Sequence, residues 1–127
     1  MKKILIVEDD TITAVIYQRH LQKEGFVTDV AKDGAAGLER LATFGPDAVL
    51  LDLMMPKVSG IEMLKTLRAQ EAFRTLPVLA LTNAMVPTMI QQAMDAGATK
   101  VFDKSKTTPS TVVGLLRLWL ENTSKAA

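Results

Sequence analysis

Residues 48–52 read Ala48-Val49-Leu50-Leu51-Asp52. Four apolar side chains follow one another without a polar break, and the run closes on an acid. A strand with one wet face alternates apolar and polar residues, whereas a strand covered on both faces does not. The same form recurs along the chain. Ile4-Leu5-Ile6-Val7 closes on Glu8-Asp9, and Val78-Leu79-Ala80-Leu81 closes on Thr82. Val101-Phe102-Asp103 leads to Lys104, and Phe26 to Ala31 reads as a further, weaker strand.

Segments of helical period separate these runs. Residues 11–24 place Ile12, Val15, Ile16 and Leu21 at helical spacing, with Gly25 as a stop. Asp33 is an N-cap for a helix through Leu38, Leu41 and Ala42, and Gly45-Pro46 breaks the chain before residue 48. Ser59-Gly60-Ile61-Glu62 is a capping box, with Ile61, Leu64 and Leu67 as the buried stripe behind it. A fourth helix is expected over Thr88 to Ala96, ended by Gly97. Thr108-Pro109 supplies an N-cap and an N1 proline for a last helix over 109–122, with residues 122–127 frayed. Strand followed by helix, five times over, implies a single α/β domain across residues 1–127. Its expected form is a doubly wound (βα)5 fold around a five-stranded parallel sheet.

Composition narrows the function classes. The chain has 127 residues, 48% of them hydrophobic and 23% charged, as in an ordinary globular domain with a real core. A net charge of +1 gives no reason to expect direct nucleic-acid binding. With no cysteine, disulfides and thiolate metal sites are excluded, and a reducing cytoplasm is compatible. Met1-Lys2-Lys3 and the four apolar residues after it are too short for a signal peptide. No stretch reaches the length of a membrane span, and Arg117 interrupts the apolar residues from Leu115 to Leu120.

In an open parallel sheet, ligands bind outside the carboxyl ends of the strands. Glu8, Asp9, Asp52, Thr82 and Lys104 all stand at such ends. If the first and third strands are neighbours, three carboxylates crowd together and raise one another's pKa. A cation relieves that repulsion, and oxygen ligands without His or Cys favour Mg2+ or Mn2+ over Zn2+. Asp52 is the candidate nucleophile, since a carboxylate can attack phosphorus and form an acyl phosphate. The N–H groups of Leu53 and Met54, the Thr82 hydroxyl and the Lys104 ammonium are candidate donors to the phosphoryl oxygens. Each residue alone has an ordinary role. Asp9 and Asp10 can cap a helix, Thr82 can bond locally, and Lys104 can be a solvated lysine. Only the constellation points to chemistry, and Asp10 stays a cap or a solvated neighbour.

These residues resemble the receiver domain of two-component response regulators, the CheY-like family. The resemblance runs from about residue 2 to 121 and rests on Glu8-Asp9, on Asp52 with Met55-Pro56 and Gly60 after it, on Thr82 and on Lys104. It implies a flavodoxin-like strand order, 2-1-3-4-5. It implies Asp52 as phosphoacceptor, Asp9 as a direct metal ligand and Glu8 as its water-mediated partner. Met54 would add its backbone carbonyl to the metal shell, Thr82 would be the switch hydroxyl, and Lys104 would bond the phosphoryl group. It further implies a signalling domain rather than an enzyme, one that assists its own phosphorylation and dephosphorylation. On this resemblance Met54 and Ala84 would flank the phosphoryl site. The implied partners are a sensor histidine kinase or phosphotransfer protein upstream, and a protein or output domain downstream. The downstream contact would use the fourth helix, fifth strand and fifth helix, the surface on which such domains also dimerise when phosphorylated. The sequence is compatible with a stand-alone receiver and with part of a longer regulator.

Two positions depart from the family pattern. Ser105 follows Lys104, where many receivers have a proline joined by a cis bond, and a cis bond to any other residue costs about 2.5–4 kcal/mol. Val101 stands where a Tyr or Phe often turns inward as the hydroxyl moves, and Phe102 is expected on the opposite sheet face. Two further surfaces follow from the pattern. Met85, Val86 and Met89, after Thr82, either form a binding patch or pack inward. Val112, Leu115, Leu116 and Trp119 read as the core stripe of the last helix, leaving Leu118 for contacts.

Two other functions use related scaffolds. A phosphatase working through an aspartyl phosphate wants a general acid two residues after its nucleophile, and here that residue is Met54. An FMN binder wants a loop rich in Ser, Thr and Gly after the first strand, where Glu8-Asp9-Asp10 would repel phosphate.

Overall fold

The computed structural model describes residues 2–55, 59–83 and 86–126, with side chains described as far as residue 121. Pro56, Ala84 and Met85 lie outside the described residues. The chain runs β1 (Lys3–Val7), α1 (Thr11–Lys23), β2 (Val27–Ala31), α2 (Gly34–Phe44), β3 (Ala48–Asp52) and α3 (Gly60–Arg68). It continues through a 3-10 turn (Glu71–Phe73), β4 (Val78–Thr82), α4 (Pro87–Ala96), β5 (Lys100–Asp103) and α5 (Pro109–Ala126). All strand pairs are parallel, and the order is β2-β1-β3-β4-β5, as the family resemblance implies. The acid-terminated run over residues 48–52 is thus the central strand, and all five of its residues are buried.

Two apolar layers sandwich the sheet. On one face Leu5, Val49 and Leu51 pack with Leu41 of α2, Met63, Leu64 and Leu67 of α3, and Ala93 and Ala96 of α4. On the other, Ile4, Ile6, Leu50 and Leu81 pack with Tyr17 and Leu21 of α1 and with Val112, Leu116 and Leu120 of α5. Consecutive strand residues go to opposite layers, which is why the strands are apolar without alternation. Covering one leucine fully in either layer is worth about 1.5–3 kcal/mol.

The helix starts follow the expected chemistry. The Asp33 carboxylate accepts from Ala36 N–H at 2.8 Å, Ser59 Oγ from Glu62 N–H at 3.2 Å, and Thr108 Oγ1 from Thr111 N–H at 3.2 Å. At its far end α4 is tied down. Arg68 at the end of α3 donates to the Gly97 carbonyl through both Nε (3.0 Å) and an Nη (2.8 Å), and its other Nη donates to Phe73 O at 2.6 Å. Gly97 sits at φ +110°, and a Cβ there would lie 2.7 Å from Arg68 Cγ. Only glycine meets both demands at no cost.

Three helical readings need correction. On α1 the buried residues are Ala14, Tyr17 and Leu21, while Ile12 is 72% and Ile16 41% exposed. The helix turns its i, i+3, i+7 stripe of Ala14, Tyr17 and Leu21 to the sheet, and the more apolar isoleucines lie on the outer side. On α5 the stripe is Val112, Val113, Leu116 and Leu120, with Leu115 half-buried and Trp119 42% exposed. Leu118 is exposed, as expected. The helix itself reaches Ala126, past the expected boundary at 122, because no Gly or Pro follows Gly114 to stop it. On α3 the fully buried set includes Met63, and Ile61 is only half-covered. Among the described residues no helix is long and apolar enough to cross a membrane.

Candidate functional site

Parallel pairing brings the strand ends to one edge of the sheet. Val7 is level with Leu51, Asp52 with Leu81, and Thr82 with Asp103. Glu8 therefore emerges beside Asp52, and Lys104 beyond Thr82, whose carbonyl accepts from Lys104 N–H at 2.9 Å. Glu8, Asp52 and Thr82 are all buried, at 4%, 4% and 0% exposure, while Asp9 is exposed at the rim.

Carboxylate oxygens of Glu8, Asp9 and Asp52 lie within 4.8 Å of one another. Lys104 Nζ reaches into this group, donating to Glu8 Oε1 and, at 3.4 Å, to Asp52 Oδ2. The Met54 N–H donates to Asp52 Oδ1 at 3.0 Å. The Leu53 N–H, expected to face the same place, instead donates to Leu81 O at 2.9 Å. The β3–β4 ladder runs one bond past the strand end and consumes that donor. Asp10 takes the N-cap position of α1, but its side chain accepts from the Thr13 hydroxyl and not from the helix backbone.

Burial in an acidic setting governs the titration here. Burial first, then the hydrogen bond and charge of Asp52, push the Glu8 carboxyl up to about 8, against the opposing pull of Lys104. Burial lowers the Lys104 pKa, but the Glu8 hydrogen bond and the charges of Asp52 and Glu8 outweigh it and the net shift is upward. Among the described residues, Glu8 Oε2 is the buried side-chain polar atom without a hydrogen-bond partner. A buried acceptor of that kind is costly unless something satisfies it. A hard cation held by Glu8, Asp9 and Asp52 fits both the orphaned oxygen and the charge excess.

A stability prediction follows from the Glu8 shift. Its folded pKa lies above the ordinary carboxylate value of 4.5, so the native state holds a proton that the unfolded chain releases. Metal-free stability therefore falls as pH rises from about 4.5 to 8. Asp10 and Asp103 are shifted the other way, from 3.8, and act below this window. Thermal melts in chelator should give a higher midpoint at pH 5 than at pH 8. Equal midpoints would show that Glu8 is not the strained group.

The loop after β5 is held without proline. Among the described residues there is no cis peptide bond, so Lys104–Ser105 is trans. Asp103 Oδ1 accepts from both the N–H (3.0 Å) and the hydroxyl (2.6 Å) of Ser105, closing the turn locally. Val101 is half-buried against the layer of α2, α3 and α4, and Phe102 lies in the opposite layer. Val86 is exposed, whereas Met89 packs partly inward. Sequence reasoning missed Thr13 and Tyr17, which line a void of about 10 Å³ under Glu8 and Asp52. The i, i+4 pair of Thr13 and Tyr17, beside Ala14, is the signal that was available.

The comparisons with known proteins identify the family. The family model described as response regulator receiver domain matches residues 4–113. The chain belongs to the response regulator receiver domain family. The receiver is 40% identical over 81 residues to the alkaline phosphatase synthesis transcriptional regulatory protein PhoP of Bacillus subtilis, covering 64% of the receiver and 33% of PhoP. It superposes on the chemotaxis protein CheY4 of Vibrio cholerae with a TM-score of 0.86 at 29% identity, covering 92% of the receiver and 97% of CheY4. The Mn2+-bound form of response regulator Rcp1 superposes with a TM-score of 0.82 at 25% identity, over 95% and 96% of the two chains. The receiver spans between 14% and 41% of the length of the curated relatives it matches. It is a signalling domain of two-component regulators, and its cluster of Glu8, Asp9 and Asp52 fits the metal site of such domains.

Proposed function

We propose that Asp52 accepts a phosphoryl group from a phosphohistidine on a sensor kinase or phosphotransfer protein. The reading rests on one observation: a buried carboxylate ends the central strand with Lys104 Nζ and the Met54 N–H both directed at it. An Asp52 oxygen attacks phosphorus, the P–N bond breaks, the acyl phosphate forms, and the imidazole leaves with a proton. Lys104 then exchanges its carboxylate partners for a phosphoryl oxygen. Thr82, level with Asp103 on β5, turns its hydroxyl toward another. Glu8, Asp9, Asp52 and the Met54 carbonyl would hold Mg2+ or Mn2+, which would supply neutralisation of negative charge at the edge. The Mn2+-bound Rcp1 supports that choice of ion.

The new phosphate brings about −1.5 to −2 charges and three acceptors to the edge of β4. Movement of Thr82 carries this to the face of α4, β5 and α5. There a downstream protein, an output domain or a second receiver reads it. We place this traffic in the cytoplasm, where kinase and regulator meet. The domain works as a phosphoacceptor and not as a turnover enzyme, since Met54 offers no proton where an aspartyl-phosphate phosphatase keeps its general acid.

Beryllofluoride with Mg2+ imitates the phosphoryl group and gives a direct test. It should shift the amide resonances of Thr82 and Lys104 in a saturable way. Unshifted resonances at saturating beryllofluoride, in a folded sample, would sink the proposal.

A further inference from the structure

A second concentration of charge lies away from the acidic edge. A groove of about 420 Å³ runs between the second half of α1 and the first half of α5. Arg19, His20 and Lys23 line it from α1, and Arg117 from α5. For a chain of net charge +1, this is a marked local excess of basic groups. The one acid in the lining, Glu24, is taken by Arg117, which pairs with its carboxylate and also donates to its carbonyl. Among the described residues, neither Arg19 nor Lys23 has an acidic partner within ion-pair distance. The two stand four residues apart on one helix, so their Cβ atoms are neighbours on one surface.

Gly114 lies in the opposite wall. Glycine inside a helix costs about 0.5–1 kcal/mol relative to alanine. Packing does not require it here, because a Cβ built at Gly114 meets nothing within 4 Å. Its effect is to keep the groove open down to the α5 backbone. His20 Nδ1 lies 2.9 Å from Ile16 O and donates to it, so the ring is held against its own helix. Beyond the Arg117–Glu24 pair lies a second cavity, of about 410 Å³, bounded by Phe26 and Leu120 and, at its charged side, by Lys2 and Glu121.

We propose that the α1–α5 groove binds a small polyphosphate-bearing solute of nucleotide size. The volume falls in the range of small-ligand sites, about 300–1,000 Å³. The cations converge on a concavity, which suits a compact polyanion better than the extended backbone of a nucleic acid. Arg19 and Lys23 would hold the phosphates. The organic part would cross the Arg117–Glu24 pair toward Phe26 and Leu120. The site shares no residue with the Asp52 edge, so it stands or falls independently of the phosphoacceptor reading.

The test is a resonance titration of the isotopically labelled 127-residue chain in Mg2+-free buffer, with pyrophosphate, ADP, adenosine and sulfate at matched ionic strength. Pyrophosphate and ADP should give saturable shifts at residues 19–24 and 113–117, and adenosine and sulfate should not. Arg19→Gln and Lys23→Gln, both at the surface, should each weaken ADP about tenfold, the loss of one charge-assisted contact. Gly114→Leu should abolish binding by filling the groove, while phosphorylation from a small donor stays intact. The proposal is overturned by the absence of saturable shifts, by equal shifts with sulfate, or by undiminished binding in Gly114→Leu. A response only to vesicles of anionic lipid would also overturn it.

Discussion

Asp52→Asn should take up no phosphoryl group from acetyl phosphate and Mg2+, while the parent chain gains one that alkali removes. The expected effect is complete loss, because the reaction needs a carboxylate oxygen to attack phosphorus and an amide does not serve. The substitution is nearly isosteric. Asparagine keeps an oxygen for the Met54 N–H, now 3.0 Å from Asp52 Oδ1, so the variant should fold. It also removes one of the charges that raise the Glu8 pKa. Intact-mass measurement under conditions that label a control receiver decides the matter. Persistent labelling of the variant would move the phosphoacceptor elsewhere, and labelling of neither chain would remove the function.

Gly60→Ala should lose about 3 kcal/mol of stability, at the upper end of what an extra methyl in a packed interior costs. A Cβ at Gly60 would lie 2.6 Å from the Asp52 carbonyl oxygen and 2.6 Å from Leu53 Cα. Both are backbone atoms, so no side-chain rotation relieves the clash. Either α3 moves away from the sheet or the end of β3 moves with Asp52. The second response would also slow phosphorylation, since the attacking oxygen is placed by that backbone. Urea unfolding gives the first quantity and the rate of labelling the second. An alanine variant with an unchanged urea midpoint would show that the approach of α3 to β3 is looser than described.

Much of this was legible in the chain. β1, β3 and β4 are read correctly because strands covered on both faces need unbroken apolar runs, and a helix or an edge strand breaks such a run with polar residues. The site was legible for a related reason. In a parallel sheet every strand ends at the same edge, so residues at the ends of four runs must meet. The helix faces were harder. On α1, Ile12 and Ile16 outweigh Ala14 in hydrophobicity and draw the eye to the wrong stripe, yet Tyr17 and Leu21 are the residues that close on the sheet. On α5 the bulk of Trp119 did the same. Period alone fixes the spacing of a stripe and not which of two competing stripes faces inward. The Leu53 N–H was misassigned because the length of a hydrogen-bond ladder depends on the neighbouring strand, which a local reading does not include. The orphaned Glu8 oxygen depends on three-dimensional crowding and has no sequence signature.

Arg68 has a mechanical consequence. By holding the Gly97 carbonyl with two hydrogen bonds and Phe73 with a third, it makes the C-terminal end of α4 a fixed pivot. The opposite end begins at Pro87, close in sequence to Thr82 at the end of β4. On the proposed reading, a pull at Thr82 would swing α4 like a gate on its hinge rather than slide it along its axis. Displacement would then grow with distance from Gly97 and be greatest near Val86. A side chain that unfastened Gly97 would let both ends move, and the same chemical event would produce a less directed change of surface.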